Sequence, residues 1–115
     1  MNLNDIAQKL GLEVRWGGEA LLTEVRGGYA SDLMSDVIAN GREGDLWVTL
    51  QTHQNTVAVA SLKGLAGIVL VNNREPDADM LRKAGEENVV VLVSGLPAFE
   101  LVGRLHDLGI SGLRT

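Results

Sequence analysis

Side chains that could bind or react gather in three short stretches, each directly after an apolar run. They are Gln51-Thr52-His53-Gln54-Asn55, Asn72-Asn73-Arg74-Glu75 and Ser94-Gly95. Together they offer the donors and acceptors that a small polar or anionic ligand needs. Gln51, Thr52, Asn55, Asn72 and Asn73 supply hydrogen bonds, His53 an imidazole, and Arg74 the counter-charge. The same residue types cap helices and form turns, so the grouping carries more weight than any member. A second constellation is Gly27-Gly28-Tyr29-Ala30-Ser31-Asp32. Its paired glycines read as a chain reversal that needs glycine torsions, Ser31 and Asp32 as N-cap oxygens of a following helix, and Tyr29 as an anchor at a pocket or subunit boundary. It matches neither Gly-x-Gly-x-x-Gly nor Gly-Lys-Ser/Thr, so neither nucleotide signature is met.

The chemistry open to the chain is narrow. With no cysteine, disulfides, thiolate zinc, iron-sulfur clusters and cysteine nucleophiles are excluded together. The two histidines, His53 and His106, lie in different segments, and no helical His-x-x-x-His pair points to a metal. His106 sits near a helix C-terminus, where it favours the dipole. No serine lies in a Gly-x-Ser-x-Gly elbow. A small enzyme would have to combine His53 with Asp45 or Asp32. Since no nucleophile and base assemble locally, the expected role is non-catalytic, without a metal or cofactor. A formal charge of -5 repels phosphate backbones and argues against nucleic acid as partner. The longest apolar runs fall far short of the ~20 residues that span a bilayer. The N-terminus has no basic region followed by an apolar stretch, so a cytoplasmic location is expected.

Elements that would position these groups follow from the spacing of apolar residues. At 115 residues, 45% hydrophobic and 22% charged, the chain is expected to form one domain over residues 1–115. Runs at 46–50, 67–71 and 89–93 are nearly uninterrupted Val, Ile and Leu, as in parallel strands buried on both faces. Helical patterns separate them, at 54–63 ending before Gly64, at 77–84 ending before Gly85, and at 97–108 ending before Gly109. The reading is an α/β core with the polar stretches on one edge, beyond the carboxyl ends of the strands. Upstream, Leu3, Ile6, Ala7 and Leu10 mark a helix stopped by Gly11. A short strand follows at 12–16, then a Gly17-Gly18 turn and a second short strand at 20–25. A helix then turns Leu33, Met34, Val37 and Ile38 inward and ends at Asn40-Gly41.

Three strings carry a family resemblance: Glu24-Val-Arg-Gly-Gly-Tyr-Ala-Ser-Asp-Leu33, Gly44-Asp-Leu-Trp-Val-Thr-Leu-Gln-Thr-His-Gln-Asn55 and Gly67-Ile-Val-Leu-Val-Asn-Asn-Arg-Glu-Pro76. Over nearly the whole chain they resemble small stand-alone members of the DRTGG-domain family. The opening helix followed by Leu-Glu-Val and Gly-Gly is similar also to the N-terminal domain of HPr kinase/phosphorylase. The resemblance implies a three-layer α/β/α sandwich with a mainly parallel sheet that pairs with itself. In larger proteins such domains accompany CBS-containing pyrophosphatases and phosphotransacetylases. The chain departs from the signature, since Gly44-Asp45 is followed by Leu46 and the later turn reads Val71-Asn72-Asn73. Roles tied to the signature arginine or glycines are not carried over.

The expected function is therefore a regulatory or ligand-sensing domain that binds a small polar or anionic, nucleotide-like ligand as a homodimer. Gln51, Thr52, His53, Asn55, Asn72, Asn73 and Arg74 form the ligand site, and Gly27, Gly28, Tyr29, Ser31 and Asp32 a dimer contact or second site. The glycine-rich segment 12–32 leaves one side of the sheet open for a twofold partner. The alternative is an assembly role in which the same surface docks another protein, as an accessory to a redox or hydrogenase system.

Overall fold

The computed structural model describes residues 1–113. Helix α1 (Leu3–Leu10) starts at a capping box, in which the Asn2 side chain accepts from the Asp5 N–H and the Asp5 carboxylate accepts from the Asn2 N–H. It stops at Gly11, whose φ of 65° is left-handed. Strand β1 (Glu13–Trp16) and a 3-10 helix (Gly18–Leu22) follow. The expected strand at 20–25 is thus replaced. Ala20, Leu21 and Leu22 coil tightly, and residues 23–25 run back along the N-terminus, with the Leu3 N–H on the Thr23 carbonyl and the Val25 N–H on the Met1 carbonyl.

Strand β2 occupies Gly27–Ala30, where a chain reversal was expected. Neither Gly27 nor Gly28 has a positive φ. A Cβ at Gly28 would make only an ordinary contact, 3.5 Å from the Ile110 side chain, so packing there does not require glycine. Helix α2 (Met34–Asn40), strand β3 (Asp45–Thr49), helix α3 (Gln54–Lys63), strand β4 (Gly67–Leu70), helix α4 (Ala78–Glu87), strand β5 (Val90–Val93) and helix α5 (Ala98–Asp107) complete the chain. Helix α4 runs past Gly85 and ends at Asn88, which takes the left-handed cap with φ 55°. Gly85 instead makes room for the Trp16 indole, whose Nε1 would be 3.3 Å from a Cβ at that site.

The five strands form one sheet in the order β1-β5-β4-β3-β2. β2, β3, β4 and β5 are parallel, and β1 joins β5 antiparallel, with an irregularity between Val14 and Trp16. Alternation across the pleat divides the core. Leu46, Val48, Val69, Val90 and Leu92 pack with Leu3 and Ile6 of α1 and Leu101 and Leu105 of α5. Trp47, Ile68, Leu70, Val91 and Val93 pack with Val37 of α2, Val57 of α3 and Met80 of α4. The architecture is the expected three-layer α/β/α sandwich, with β3, β4 and β5 parallel and helices on both faces. Of the four α2 residues expected inside, only Val37 is fully buried, and Leu33 and Ile38 are exposed.

Candidate functional site

Because β3, β4 and β5 run the same way, their carboxyl ends share one edge, and α3, α4 and α5 all start there. None of the N-cap residues, His53, Asp77 and Pro97, caps its helix with a side chain. Three positive dipole ends therefore open onto one rim without a side-chain acceptor.

Backbone bonds make that rim continuous. The Asp77 N–H donates to the Thr52 carbonyl at 3.0 Å, the Asn72 N–H to Leu96 at 3.0 Å, and the Asn73 N–H to Ser94 at 2.8 Å. The polar stretches after β3, β4 and β5 are thereby joined. Within the rim the expected residues differ in role. Thr52 is buried, and Gln51 donates its Nε2 to the Asp32 carbonyl at 2.8 Å. Asn72 and Asn73 hold φ of 56° and 57°, a left-handed pair that asparagine tolerates better than most residues. These four shape the loops. Asn55 and Arg74 are exposed, and neither makes a side-chain hydrogen bond or ion pair among the described residues.

His53 has a partner that its sequence neighbourhood conceals. Its Nδ1 lies 2.8 Å from Asp77 Oδ2, both side chains being at least half exposed. This pairing orients the ring and leaves Nε2 facing away from the carboxylate. Neither Asp45 nor Asp32 takes that place. Asp45 is buried at the start of β3, where its carboxylate accepts from the Arg42 N–H. Asp32 accepts from the Thr49 hydroxyl at 2.9 Å and the Leu50 N–H at 2.7 Å. Asp32 therefore ties the end of β2 to the end of β3 and caps no helix. Ser31 also misses the N-cap position, which falls on Leu33. Its Oγ accepts from the Leu33 N–H in a short turn.

Of the second constellation, Gly28 and Tyr29 line a cleft of about 380 Å3 between β2, the C-terminal half of α5 and residues 110–113. Gly27, Ser31 and Asp32 do not line it, and none of the seven rim residues does. Its walls are mainly apolar, with Ala30, Val48, Val102, Leu105 and Ile110. Tyr29 donates its hydroxyl to Asp36 Oδ2 at 2.8 Å, which raises the phenol above its ordinary value and lowers the carboxyl.

One feature of the rim gave no sequence signal. Arg15 of β1 grips Glu75 with two bonds, Nε to Oε1 at 2.7 Å and Nη2 to Oε2 at 2.8 Å, and also reaches Glu13. This fork anchors the loop after β4 to the far edge strand. Arg15 holds the Glu75 carboxyl below its ordinary 4.5. A depressed value in the folded state means that the pair adds stability above pH 4.5 and loses it as pH falls through the folded value. We therefore expect Glu75→Gln to lower the urea midpoint at pH 7 and the difference to shrink steadily below pH 4.5. A difference independent of pH would reject the assignment.

Among the described residues, no group of three or more His, Asp or Glu side chains is placed to hold a metal ion, and no helix is long and apolar enough to cross a membrane. No family model matches the chain, and no curated protein does. Its fold does recur in a solved structure, the CBS and DRTGG domains of the regulatory region of Clostridium perfringens pyrophosphatase complexed with activator, diadenosine tetraphosphate. The TM-score is 0.73 at 13% sequence identity, over 89% of this chain and 44% of that one. The chain thus spans less than half of that neighbour. The likeness is one of backbone, and it shows that the chain has a DRTGG-like α/β/α fold.

Proposed function

We propose that the protein is a non-catalytic ligand-sensing domain of the DRTGG type, acting as a homodimer, and that the rim receives a small anionic ligand of nucleotide or polyphosphate character. The observation that carries this reading is the convergence of three helix N-termini without side-chain caps on a rim where Arg74 and Asn55 are uncommitted. Helix N-termini favour anions through their free N–H groups and dipoles, and Arg74 adds a forked donor suited to phosphate. His53, oriented by Asp77, adds a third contact through Nε2. The fold neighbour is a regulatory region in complex with a dinucleotide activator, which supports a sensing role and suggests the first ligands to try.

Thermal shift against diadenosine tetraphosphate, ATP, AMP and pyrophosphate tests the reading. A ligand at a hundredfold excess over its Kd stabilises the native state by about 2.7 kcal/mol. Arg74→Ala is expected to weaken binding on the order of tenfold, the value of one charge-assisted contact. Absence of a shift with all four ligands, or full affinity in Arg74→Ala, would overturn the proposal.

A further inference from the structure

The outward face of α5 is not used by the rim, and of it only the half-buried Val102 packs against the core. Phe99 is 88% exposed. Phe99, Val102, Gly103 and His106 are spaced i, i+3, i+4 and i+7, so they form one stripe along the helix. Phe99, Val102 and Gly103 line a shallow apolar depression with Ala98 and Ala30, and Val102 and His106 continue into the cleft beside β2. Gly103 lies inside a regular helix, where glycine is unfavourable. Nothing within the chain requires it, since a Cβ there would meet no atom within 4 Å.

We infer that this stripe is the seam on which a second copy of the chain packs, with the two α5 helices antiparallel across a twofold axis between Val102 and Gly103. The inference rests on the homodimer proposed above and names its surface. Size complementarity sets the direction. In the antiparallel register Phe99 faces His106 of the second copy, ring against ring, and Val102 faces Gly103, where the missing side chain lets the helices approach. A parallel pairing would set Phe99 on Phe99 and Gly103 on Gly103, leaving a gap. Charge agrees as well. A chain of net charge -5 repels its copy over most of its surface, but the stripe carries no carboxylate. On its flank, the antiparallel register sets Glu100 opposite Leu105 of the other copy, one residue from Arg104 and within reach of its long side chain, once on each side of the axis.

A stable pair buries about 800 Å2 on each partner, more than one short helix offers. The neighbouring cleft of about 380 Å3 supplies further apolar surface, and Leu113, 88% exposed, stands at its mouth.

Light scattering at about 100 µM reads the outcome, because association depends on concentration. The native chain should show twice its 12.3 kDa. Phe99→Asp and Gly103→Arg should each return to the single-chain mass with unchanged circular dichroism, since both sites face solvent in the single chain. The chain contains no cysteine, so register is readable by cross-linking. An oxidised mixture of Phe99→Cys and His106→Cys proteins should give mainly the mixed disulfide dimer. A doubled mass that survives both Phe99→Asp and Gly103→Arg rejects the seam and leaves the dimer standing. A single-chain mass for the native protein rejects both. Predominant Phe99→Cys self-linking rejects the antiparallel register.

Discussion

Trp47→Ala should destabilise the protein by about 3–5 kcal/mol, the usual cost of emptying a large aromatic site in a packed core. Such a loss is a large part of the ~5–15 kcal/mol that holds a domain of this size. Trp47 is fully buried at the centre of β3, between the sheet and the layer of α2, α3 and α4. It also has a polar task, since its Nε1 donates to the Ser31 carbonyl at 2.8 Å and pins the link between β2 and α2. Trp47→Phe separates the two contributions. It keeps most of the apolar volume and removes the donor, so a cost of about 1–3 kcal/mol is expected from the unpaired carbonyl and the smaller ring. Urea midpoints at pH 7 measure both. An alanine variant within 1 kcal/mol of the native protein would mean that the site collapses, contrary to a core packed on every side.

Trp47 also illustrates what the sequence discloses. It lies in an apolar run with no polar alternation, and such runs mark strands covered on both faces wherever they occur. That is why 46–50, 67–71 and 89–93 could be placed to within a residue or so of β3, β4 and β5. β2 was hidden because Gly27-Gly28-Tyr29-Ala30 contains no β-branched residue. It becomes a strand because the edge of β3 accepts it, which is tertiary pairing overriding local preference. Gly85 misled for a similar reason. It makes space for Trp16 of the edge strand β1, and local spacing carries no trace of that contact.

The position of the rim was legible, because parallel strands joined by helices must bring their carboxyl ends together. Its internal pairings were not. His53 with Asp77 spans 24 residues and Arg15 with Glu75 spans 60, and nothing in either neighbourhood selects the partner. The seam on α5 was masked differently. Leu101 and Leu105 already give the helix a buried stripe, so Phe99 and Gly103 read as ordinary surface until the depression beside them is seen.

Asp32→Ala should cost about 2 kcal/mol and loosen the rim at the end nearest β2. Hydrogen bonds to a charged acceptor contribute about 1.5–3 kcal/mol each, and Asp32 Oδ1 takes two, from the Thr49 hydroxyl and the Leu50 N–H. The contributions do not simply add, because water reaches the exposed Leu50 N–H once the carboxylate is gone. Thr49 is only 2% exposed, so its hydroxyl has less access to a replacement. The bond that Thr49 Oγ1 accepts from the Gln51 N–H at 3.2 Å satisfies its lone pair and does not replace the lost acceptor. Asp32→Asn is the discriminating variant. Its amide oxygen can accept both bonds without charge, so it should cost under about 1 kcal/mol, whereas a purely catalytic role for Asp32 predicts no such ordering of stability between the two. Gln51 reports on the same contact through its bond to the Asp32 carbonyl. That bond involves the main chain, so it should persist in both variants if the loops keep their path. Hydrogen exchange at Leu50 should therefore accelerate in Asp32→Ala and stay near native in Asp32→Asn, with exchange at Asn73, bonded to Ser94 across the rim, unchanged in both. Equal acceleration at Leu50 and Asn73 would show that Asp32 supports the whole edge and not the β2–β3 junction alone.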